Sequence, residues 1–281
     1  MLIVKQFNYL APKSLPEALA FLAEHGDSAV VFNGGTDVVV RLRDNLIAPE
    51  YVIDIKKIPG LDTITFDEKT GLTIGACVTM NEIGANEYVQ KYYPYLGKAA
   101  LSVGSKQVRN RATCIGNIVN ASPLADTGTP LLANDAVILA EGPEGKREIP
   151  IREFFIFVRK TALKKDEIVT AIRVPYHAGS EGVYTKISRR REVDLSTVCA
   201  TVVRDGDDWR IAFGSVAPTP LRLVKTEELL RGKKLDGALI EQAAELAKTE
   251  VAPIDDVRAS KEYRVTIVGL IVKRSLEALA K

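Results

Sequence analysis

Residues 112–126, ATCIGNIVNASPLAD, are the part of the sequence that decides the fold prediction. Around Gly116, the segment carries hydroxyl and amide groups at Thr113, Asn117, Asn120 and Ser122. It ends at Asp126, a carboxylate that could accept hydrogen bonds from sugar hydroxyls. An ordered loop of Asx turns would explain the same residue types without a ligand, so that alternative stays open.

A second glycine-containing loop lies nearer the N-terminus. The apolar run AVVF at 29–32 predicts a strand, NGGTD at 33–37 follows it, and VVVRL begins at Val38 as a possible helix. Adjacent glycines let the backbone approach a ligand closely and offer N–H groups to an anion, although an ordinary glycine turn has the same composition. The loop is neither GxGxxG nor GxxxxGK[ST], so it supports neither a Rossmann dinucleotide site nor a P-loop. Two separated donor-rich glycine segments together suggest a long, two-ended phosphate ligand.

Capping and hairpin signals organise the rest of the first 175 residues. Ser14 and Glu17 predict a capping box for a helix that Gly26 ends, and Thr79 with Glu82 predicts a second one. Strands are predicted at 51–55 and 167–175, and hairpins around the turns KTG at 69–71 and GPEGK at 142–146. The polar stretch 101–135 must be held by side-chain and ligand contacts or be a mobile loop.

The pattern changes after Pro175, so we place a domain boundary within YHAGSEG at 176–182. Three strand-like runs follow, of which the last two flank the turn DGDD at 205–208. Helical patterns begin near 225, 236 and 260, so the C-terminal part is predicted to be an α+β unit.

Composition limits the classes of function. The chain has 281 residues, 46% hydrophobic and 26% charged, with a formal charge of +2. These values exclude disorder for the bulk and make nucleic acid a poor ligand candidate. The three cysteines form no CxxC pair, so they predict buried reduced thiols rather than a zinc or iron–sulfur site. The start MLIVKQFNYLAPKS has no signal-like core and no segment is long enough to span a membrane, so we expect a cytoplasmic protein.

The two glycine loops and their surroundings resemble the FAD-binding medium subunit of the molybdenum hydroxylases, the family of xanthine dehydrogenase and aerobic carbon monoxide dehydrogenase. The resemblance is carried by FNGGTDV at 32–38, by residues 106–136, by KISRRREVDLSTVCA at 186–200 and by the closing EYRVTIVGLIVKRSLEALA. It implies an α+β chain. A vanillyl-alcohol-oxidase type FAD-binding domain at 1–176, with two α/β subdomains at about 1–57 and 58–176, precedes a small C-terminal domain of antiparallel strands and helices at 177–281.

The resemblance also implies an FAD site. In the first loop it assigns cofactor contacts to Val31, Phe32, Asn33, Gly34, Gly35, Thr36, Asp37 and Val38, whose backbone amides would wrap the pyrophosphate. In the second segment it assigns Ala112, Thr113, Gly116, Asn117 and Val119, around the flavin and ribityl chain. It further implies that Asp126 is a polar anchor, that Val103 and Val108 line the pocket, that Val169 lies near the adenine, and that Lys186 lies close to the flavin ring.

One residue departs from the family pattern, since Ile115 stands where the family usually has the first of two glycines; a slightly different loop path is expected there. His25 and His177 lie outside the matched segments, so the FAD is expected to be noncovalent. No catalytic residue and no metal ligand is assigned. The run Arg189 to Arg191 is either a solvated strand end, a contact with a partner subunit or an ion-pair partner of Asp194.

The function that the resemblance implies is electron transfer. Electrons would pass from [2Fe-2S] clusters on a small partner subunit through FAD to NAD+ or another acceptor, while a large partner subunit holds the molybdopterin. A self-contained flavin reductase or oxidase on the same fold is the alternative. A third possibility is a regulatory or assembly protein that has lost the flavin.

Overall fold

The computed structural model describes residues 5–280, so the first four residues of the segment inspected for a leader sequence, and Lys281, lie outside it. The helices are Leu15–His25 (α1), Val38–Arg43 (α2), Met80–Ala85 (α3), Glu87–Tyr92 (α4), Pro94–Leu101 (α5), Lys106–Arg109 (α6), Cys114–Val119 (α7), Gly128–Ala133 (α8), Ile151–Phe154 (α9), Val224–Leu230 (α10), Gly237–Thr249 (α11) and Lys261–Leu279 (α12). The strands are Asn8–Leu10 (β1), Ala29–Phe32 (β2), Tyr51–Asp54 (β3), Ile64–Asp67 (β4), Gly71–Gly75 (β5), Val137–Gly142 (β6), Gly145–Pro150 (β7), Phe155–Phe157 (β8), Lys160–Thr161 (β9), Ile168–Val174 (β10), Glu181–Ile187 (β11), Val198–Asp205 (β12), Asp208–Gly214 (β13) and Leu221–Arg222 (β14).

A small parallel sheet opens the chain, with strand order β1-β3-β2 and α1 packed beside it. Of the two hydrogen bonds of the predicted capping box at the start of α1, only one forms. The N–H of Glu17 donates to Ser14 Oγ at 3.3 Å, but the Glu17 carboxylate accepts from the N–H of Lys13 and not from that of Ser14. The predicted capping box at Ser14 was therefore half right, because the chain before α1 turns the Lys13 amide toward Glu17. The capping box of Thr79 and Glu82 on α3 is complete.

The second sheet is antiparallel throughout, in the order β4-β5-β10-β6-β7, and contains both predicted hairpins. Stretch 101–135 is neither a bare loop nor dominated by strands. It forms α6, α7 and α8, joined by short turns, and most of its apolar side chains are buried. Cys114, Ile118, Leu131 and Leu132 are buried in the large central core. The alternative of a mobile loop was wrong, because burial of these apolar side chains offsets the conformational entropy lost when the polar residues between them are ordered.

The C-terminal part is a four-stranded antiparallel sheet, β11-β12-β13-β14, with α10, α11 and α12 as predicted. Its core joins strand residues such as Val202 and Phe213 to Val268 and Val272 of α12. Within residues 5–280, no helix is both long enough and apolar enough to cross a membrane.

Helix α8 connects the two larger sheets. The Thr129 and Thr201 hydroxyls are 3.0 Å apart where α8 meets β12, and the Arg222 guanidinium donates to the carbonyl of Leu132 at 3.2 Å. Both threonines are fully buried, so this contact is a packed interface. It fixes the turn 122–127, which precedes α8, against β11.

Candidate functional site

A cavity of about 850 Å³ lies between the two glycine loops and the loop after β11. Its size is in the range of pockets that enclose a large organic ligand. Every site residue expected from the sequence borders it except Phe32 and Lys186. The expected residues that border it are Val31, Asn33, Gly34, Gly35, Thr36, Asp37, Val38, Val103, Val108, Ala112, Thr113, Gly116, Asn117, Val119, Asp126 and Val169.

The first loop, 33–37, connects β2 to α2, and its two glycines are required for different reasons. A Cβ at Gly34 would overlap the carbonyl oxygen of Arg111, so this glycine lets the first loop touch the second. Gly35 has a φ of +75°, and a Cβ there would overlap the ring of Phe32. Phe32 therefore supports the loop from behind and does not border the cavity.

The backbone of the first loop is suited to bind an anion. Within residues 5–280, the N–H groups of Gly34 to Asp37 find no hydrogen-bond acceptor. Asn33 Oδ1, an acceptor, is buried without a partner among those residues, while Asn33 Nδ2 donates to the carbonyl of Ala76. The free N–H groups border the cavity just before α2, where they can donate to a ligand rich in acceptor oxygens, such as a diphosphate.

The second loop is held by Thr113, which caps α7. Its Oγ1 accepts from the N–H of Gly116 at 3.0 Å, and a Cβ at Gly116 would lie only 2.9 Å from that oxygen. Ile115 is 4% exposed and belongs to the central core, although it also borders the cavity. Its side chain is thus accommodated by packing in the first turn of α7.

Three side chains link the two loops to the β8–β9 hairpin. Asn120 Nδ2 donates to Asp37 Oδ1 at 2.9 Å, and the Arg159 guanidinium donates to Asn120 Oδ1 and lies 3.8 Å from Asp37 Oδ1. The N–H of Arg159 also donates to the carbonyl of Ala121 at 3.0 Å. Both Ala121 and Arg159 have a left-handed backbone, at φ of +46° and +60°. The hairpin is therefore pinned at two strained residues beside the cavity.

Asp126 is a carboxylate of the cavity wall with three side-chain hydrogen bonds. Its Oδ1 accepts from the hydroxyls of Tyr184 at 2.8 Å and Ser196 at 2.5 Å, and its Oδ2 accepts from Lys186 Nζ at 2.9 Å. Burial, and then the negative charge of Asp126, hold the pKa of Tyr184 well above its ordinary value. Asp126 thus connects the turn before α8 to β11 and to Ser196, which precedes β12. Lys186 lies on the side of Asp126 away from the cavity and also donates to the carbonyl of Ser102 at 2.9 Å.

Apolar residues from three elements complete the wall. Val169 is 4% exposed at a bulge in β10, Val103 follows α5, and Val108 is a partly exposed residue of α6. These surfaces suit the flat rings at the two ends of a dinucleotide.

Sequence reasoning missed five basic residues around the cavity: Arg41, Arg159, Lys164, Lys165 and Arg258. The run Arg189 to Arg191 was noticed, and its ion-pair alternative is confirmed for Arg190, which lies 3.7 Å from Asp194. Arg189 and Arg190 also border the cavity, whereas Arg191 is exposed outside it. The other cations are spread over four segments, so no local motif announces them.

Cysteine chemistry is not concentrated at the site. Cys114 and Cys199 are buried thiols, and Cys77 is partly buried. Burial raises the pKa of Cys77 and of Cys114 to about 12, so both are protonated at neutral pH. No group of three or more His, Cys, Asp or Glu side chains within residues 5–280 is arranged to hold a metal ion.

Comparisons with known proteins agree with this geometry. Residues 5–177 match the family described as the FAD binding domain in molybdopterin dehydrogenase, and residues 183–279 match the CO dehydrogenase flavoprotein C-terminal domain. The carbon monoxide dehydrogenase medium chain of Hydrogenophaga pseudoflava is 34% identical over 99% of this chain and 98% of its own length. The xanthine dehydrogenase FAD-binding subunit of Escherichia coli O157:H7 is 33% identical over 97% and 96%.

Solved structures give the same result. A chain of the Hydrogenophaga pseudoflava carbon monoxide dehydrogenase superposes with a TM-score of 0.93 at 35% identity, covering 98% of both chains. A chain of quinoline 2-oxidoreductase from Pseudomonas putida 86 superposes with a TM-score of 0.92 at 26% identity, covering 99% of this chain and 98% of its own. The superpositions and the two family matches therefore agree on the fold of nearly the whole chain.

Proposed function

The chain belongs to the FAD-binding medium subunits of the molybdenum hydroxylase family, and from this premise we propose that it carries electrons through FAD from an iron–sulfur partner to an electron acceptor. The partner subunits would be a small chain with [2Fe-2S] clusters and a large chain with molybdopterin. NAD+ is the first candidate acceptor, with dioxygen or a quinone as the others. The cytoplasmic location inferred from the sequence, and the boundary at 176/177 between the two domains, stay part of this proposal.

The observation that carries the proposal is the cavity between the two glycine loops. It joins a row of unpaired backbone N–H groups at Gly34 to Asp37, which suits a diphosphate, to apolar walls at Val103, Val108 and Val169. This is the pattern of donors and surfaces that FAD requires, and the family is named for that cofactor. We propose that the other expected residues that border the cavity also contact FAD.

The residues of this chain bind and position the cofactor. When bound, FAD supplies the ability to exchange two electrons with an acceptor, while iron–sulfur clusters exchange one at a time. The first loop would hold the diphosphate, the second would hold the ribityl side, and the pair Asp126 and Lys186 would fix the wall formed by β11. The names of the relatives, "medium chain" and "FAD-binding subunit", support a place in a complex of several chains.

The test uses the complex purified from the cells that make it. We expect a tagged chain to co-purify with two further chains, with FAD, iron and molybdenum present. After anaerobic photoreduction, the complex is mixed with NAD+, with dioxygen or with a quinone analogue, and flavin absorbance and the cluster signal in electron paramagnetic resonance are followed. One of the three acceptors should reoxidise both the flavin and the clusters.

A matched complex with Gly35→Glu is the control, because it should contain the clusters but no FAD. Its clusters should stay reduced with the same acceptor; reoxidation as fast as in the wild-type complex would overturn the proposed path. The isolated chain should have no hydroxylase activity on a purine, an aldehyde or an aromatic heterocycle. Bleaching of its flavin by one of these substrates would instead support a self-contained reductase or oxidase.

A further inference from the structure

We propose that Arg41, on α2, is the side chain that neutralises the diphosphate of FAD, and that Arg159 keeps it available by holding Asp37. The proposal rests on the FAD site described above, to which it adds a charge. Arg41 borders the cavity one helical turn after the first loop, and its N–H donates to the carbonyl of Asp37 at 3.0 Å.

The inference begins with the charges around the cavity. Four carboxylates border it, and each is close to a basic side chain: Asp37 to Arg159, Asp126 to Lys186, Glu167 to Arg147 and Asp194 to Arg190. Three of the basic residues there are engaged with acids that do not border it: Lys164 with Glu144, Lys165 with Asp27 and Arg258 with Asp256. The acids of the wall are therefore compensated without any contribution from Arg41.

Arg41 is different from these neighbours. It is partly buried, and within the described part of the chain its guanidinium makes neither an ion pair nor a hydrogen bond. Arg189 is the other cation on the wall without an acidic partner, but it is exposed and its guanidinium donates to the carbonyl of Val257 at 3.3 Å. Arg41 is thus the uncompensated cation next to the first loop.

The helix itself offers Arg41 a partner that it does not use. Asp37 precedes Arg41 by four residues, the spacing at which opposite charges pair on a helix surface. The Asp37 carboxylate is bonded instead to Asn120 at 2.9 Å and lies 3.8 Å from Arg159. Since Arg159 is also fixed by its backbone to Ala121, it holds Asp37 on the side of the second loop.

The diphosphate of a dinucleotide carries the negative charge that Arg41 lacks as a partner. Backbone N–H groups at Gly34 to Asp37 can donate to its oxygens, but they carry no net charge, and Asp37 in the same loop repels an anion. A guanidinium matches phosphate oxygens in geometry as well as in charge. Arg41 would supply the positive charge that the backbone N–H groups lack. The contact of Asp37 with Arg159 and Asn120 would limit the repulsion between Asp37 and the diphosphate.

The test measures FAD affinity of the isolated chain after removal of flavin, by flavin fluorescence, with riboflavin as a ligand that lacks the diphosphate. Arg41→Gln should weaken FAD binding about tenfold and leave riboflavin binding within twofold. Arg43→Gln is the matched control, because Arg43 lies on the same helix, is exposed, pairs with Asp44 and does not border the cavity. Equal FAD affinity in the two variants would overturn the role of Arg41.

Two further variants test the role of Arg159 and guard against a folding defect. Arg159→Gln should also weaken FAD binding, because it frees Asp37 to pair with Arg41. Adding Asp37→Asn should then restore most of the affinity; no recovery would mean that Arg159 does not act through Asp37. If circular dichroism shows that Arg41→Gln does not fold, Arg41→Lys, which keeps the positive charge, decides. Its FAD affinity should lie within about threefold of wild type. A tenfold loss of FAD affinity, together with a weaker dependence of that affinity on salt concentration, would contradict the proposal. All these readouts are independent of electron transfer, so they can fail while the proposed function holds.

Discussion

Lys186 Nζ lies 2.9 Å from Asp126 Oδ2, so a lysine of the C-terminal domain neutralises a carboxylate on the wall of the cavity between the two glycine loops. Lys186 is on β11, and the turn that carries Asp126 precedes α8 in the FAD-binding domain. The Asp126 side chain is buried, with 7% exposed, and the Lys186 side chain is partly buried, with 12% exposed. The ion pair therefore connects the docking of the two domains to the electrostatic potential at the cavity.

Replacing this lysine should alter the redox potential of bound FAD. Lys186→Met leaves the buried charge of Asp126 uncompensated, and this charge opposes the negative charge that reduction adds to the flavin. We expect the two-electron potential to fall by tens of millivolts, where about 30 mV corresponds to roughly 1.4 kcal/mol. Dye-coupled reduction measures it.

The double variant Lys186→Met with Asp126→Asn is the control for this prediction, since it removes both charges. Its potential should return toward the wild-type value, although both variants are expected to unfold at lower temperature because they lose a buried contact. A single variant whose potential lies within error of wild type would show that Lys186 is only a structural residue.

The first loop should tolerate no side chain at Gly35. Gly35→Ala combines a left-handed backbone, which costs about 1–2 kcal/mol for a residue with a Cβ, with an overlap with Phe32, and should weaken FAD binding strongly. Gly60→Ala is the matched control, because Gly60 has a φ of +85° with open space around its Cβ position and does not border the cavity. Equal FAD content in both purified variants would contradict the role of the first loop.

The bound flavin should be noncovalent FAD. His25 and His177 do not border the cavity, and Cys114 is a buried thiol of raised pKa. Acid precipitation of the purified chain should release all of the yellow colour into the supernatant, where chromatography should identify FAD. Colour that stays in the pellet, or FMN in the supernatant, would show a different attachment or cofactor.

Acid sensitivity should depend on Glu167, which borders the cavity. Burial opposes its ionisation, but the hydrogen bonds from Arg147, at 2.6 and 2.7 Å, and from the N–H of Lys164 outweigh burial and leave the pKa of Glu167 below its ordinary value. A lowered pKa in the folded state stabilises the fold above the unfolded-state pKa, about 4.3 for Glu, and this stabilisation is lost as pH falls through the folded value.

Glu167→Gln should therefore lower the melting temperature by several degrees at pH 7 and flatten its dependence on pH between about 5 and 3. Glu144→Gln is the comparison, because Glu144 pairs with Lys164 on the surface at 83% exposure and should change stability little. Thermal unfolding followed by circular dichroism at a series of pH values decides. An unchanged melting curve for Glu167→Gln would rule out this ion pair as a stabilising contact.

Local sequence predicted much of the fold, because strands, turns and caps depend on near neighbours. The hairpin at Lys69-Thr70-Gly71 forms as expected, since a left-handed glycine closes it, and Thr79 with Glu82 caps α3. Stretch 101–135 was harder, because its helices α6, α7 and α8 are short and gain stability from packing against distant strands rather than from their own residues.

For the site, the sequence by itself determined the two loops: two adjacent glycines after a strand, and Thr113 three residues before Gly116, specify backbone paths that few other residues permit. Only the tertiary structure decided which charges surround them. The pairing of β11 with β12 brings Lys186 behind Asp126, and the β8–β9 hairpin brings Arg159 to Asp37, which leaves Arg41 uncompensated. Such contacts join residues 60 or more positions apart, and their geometry depends on how sheets and hairpins pack, which no local pattern of residues encodes.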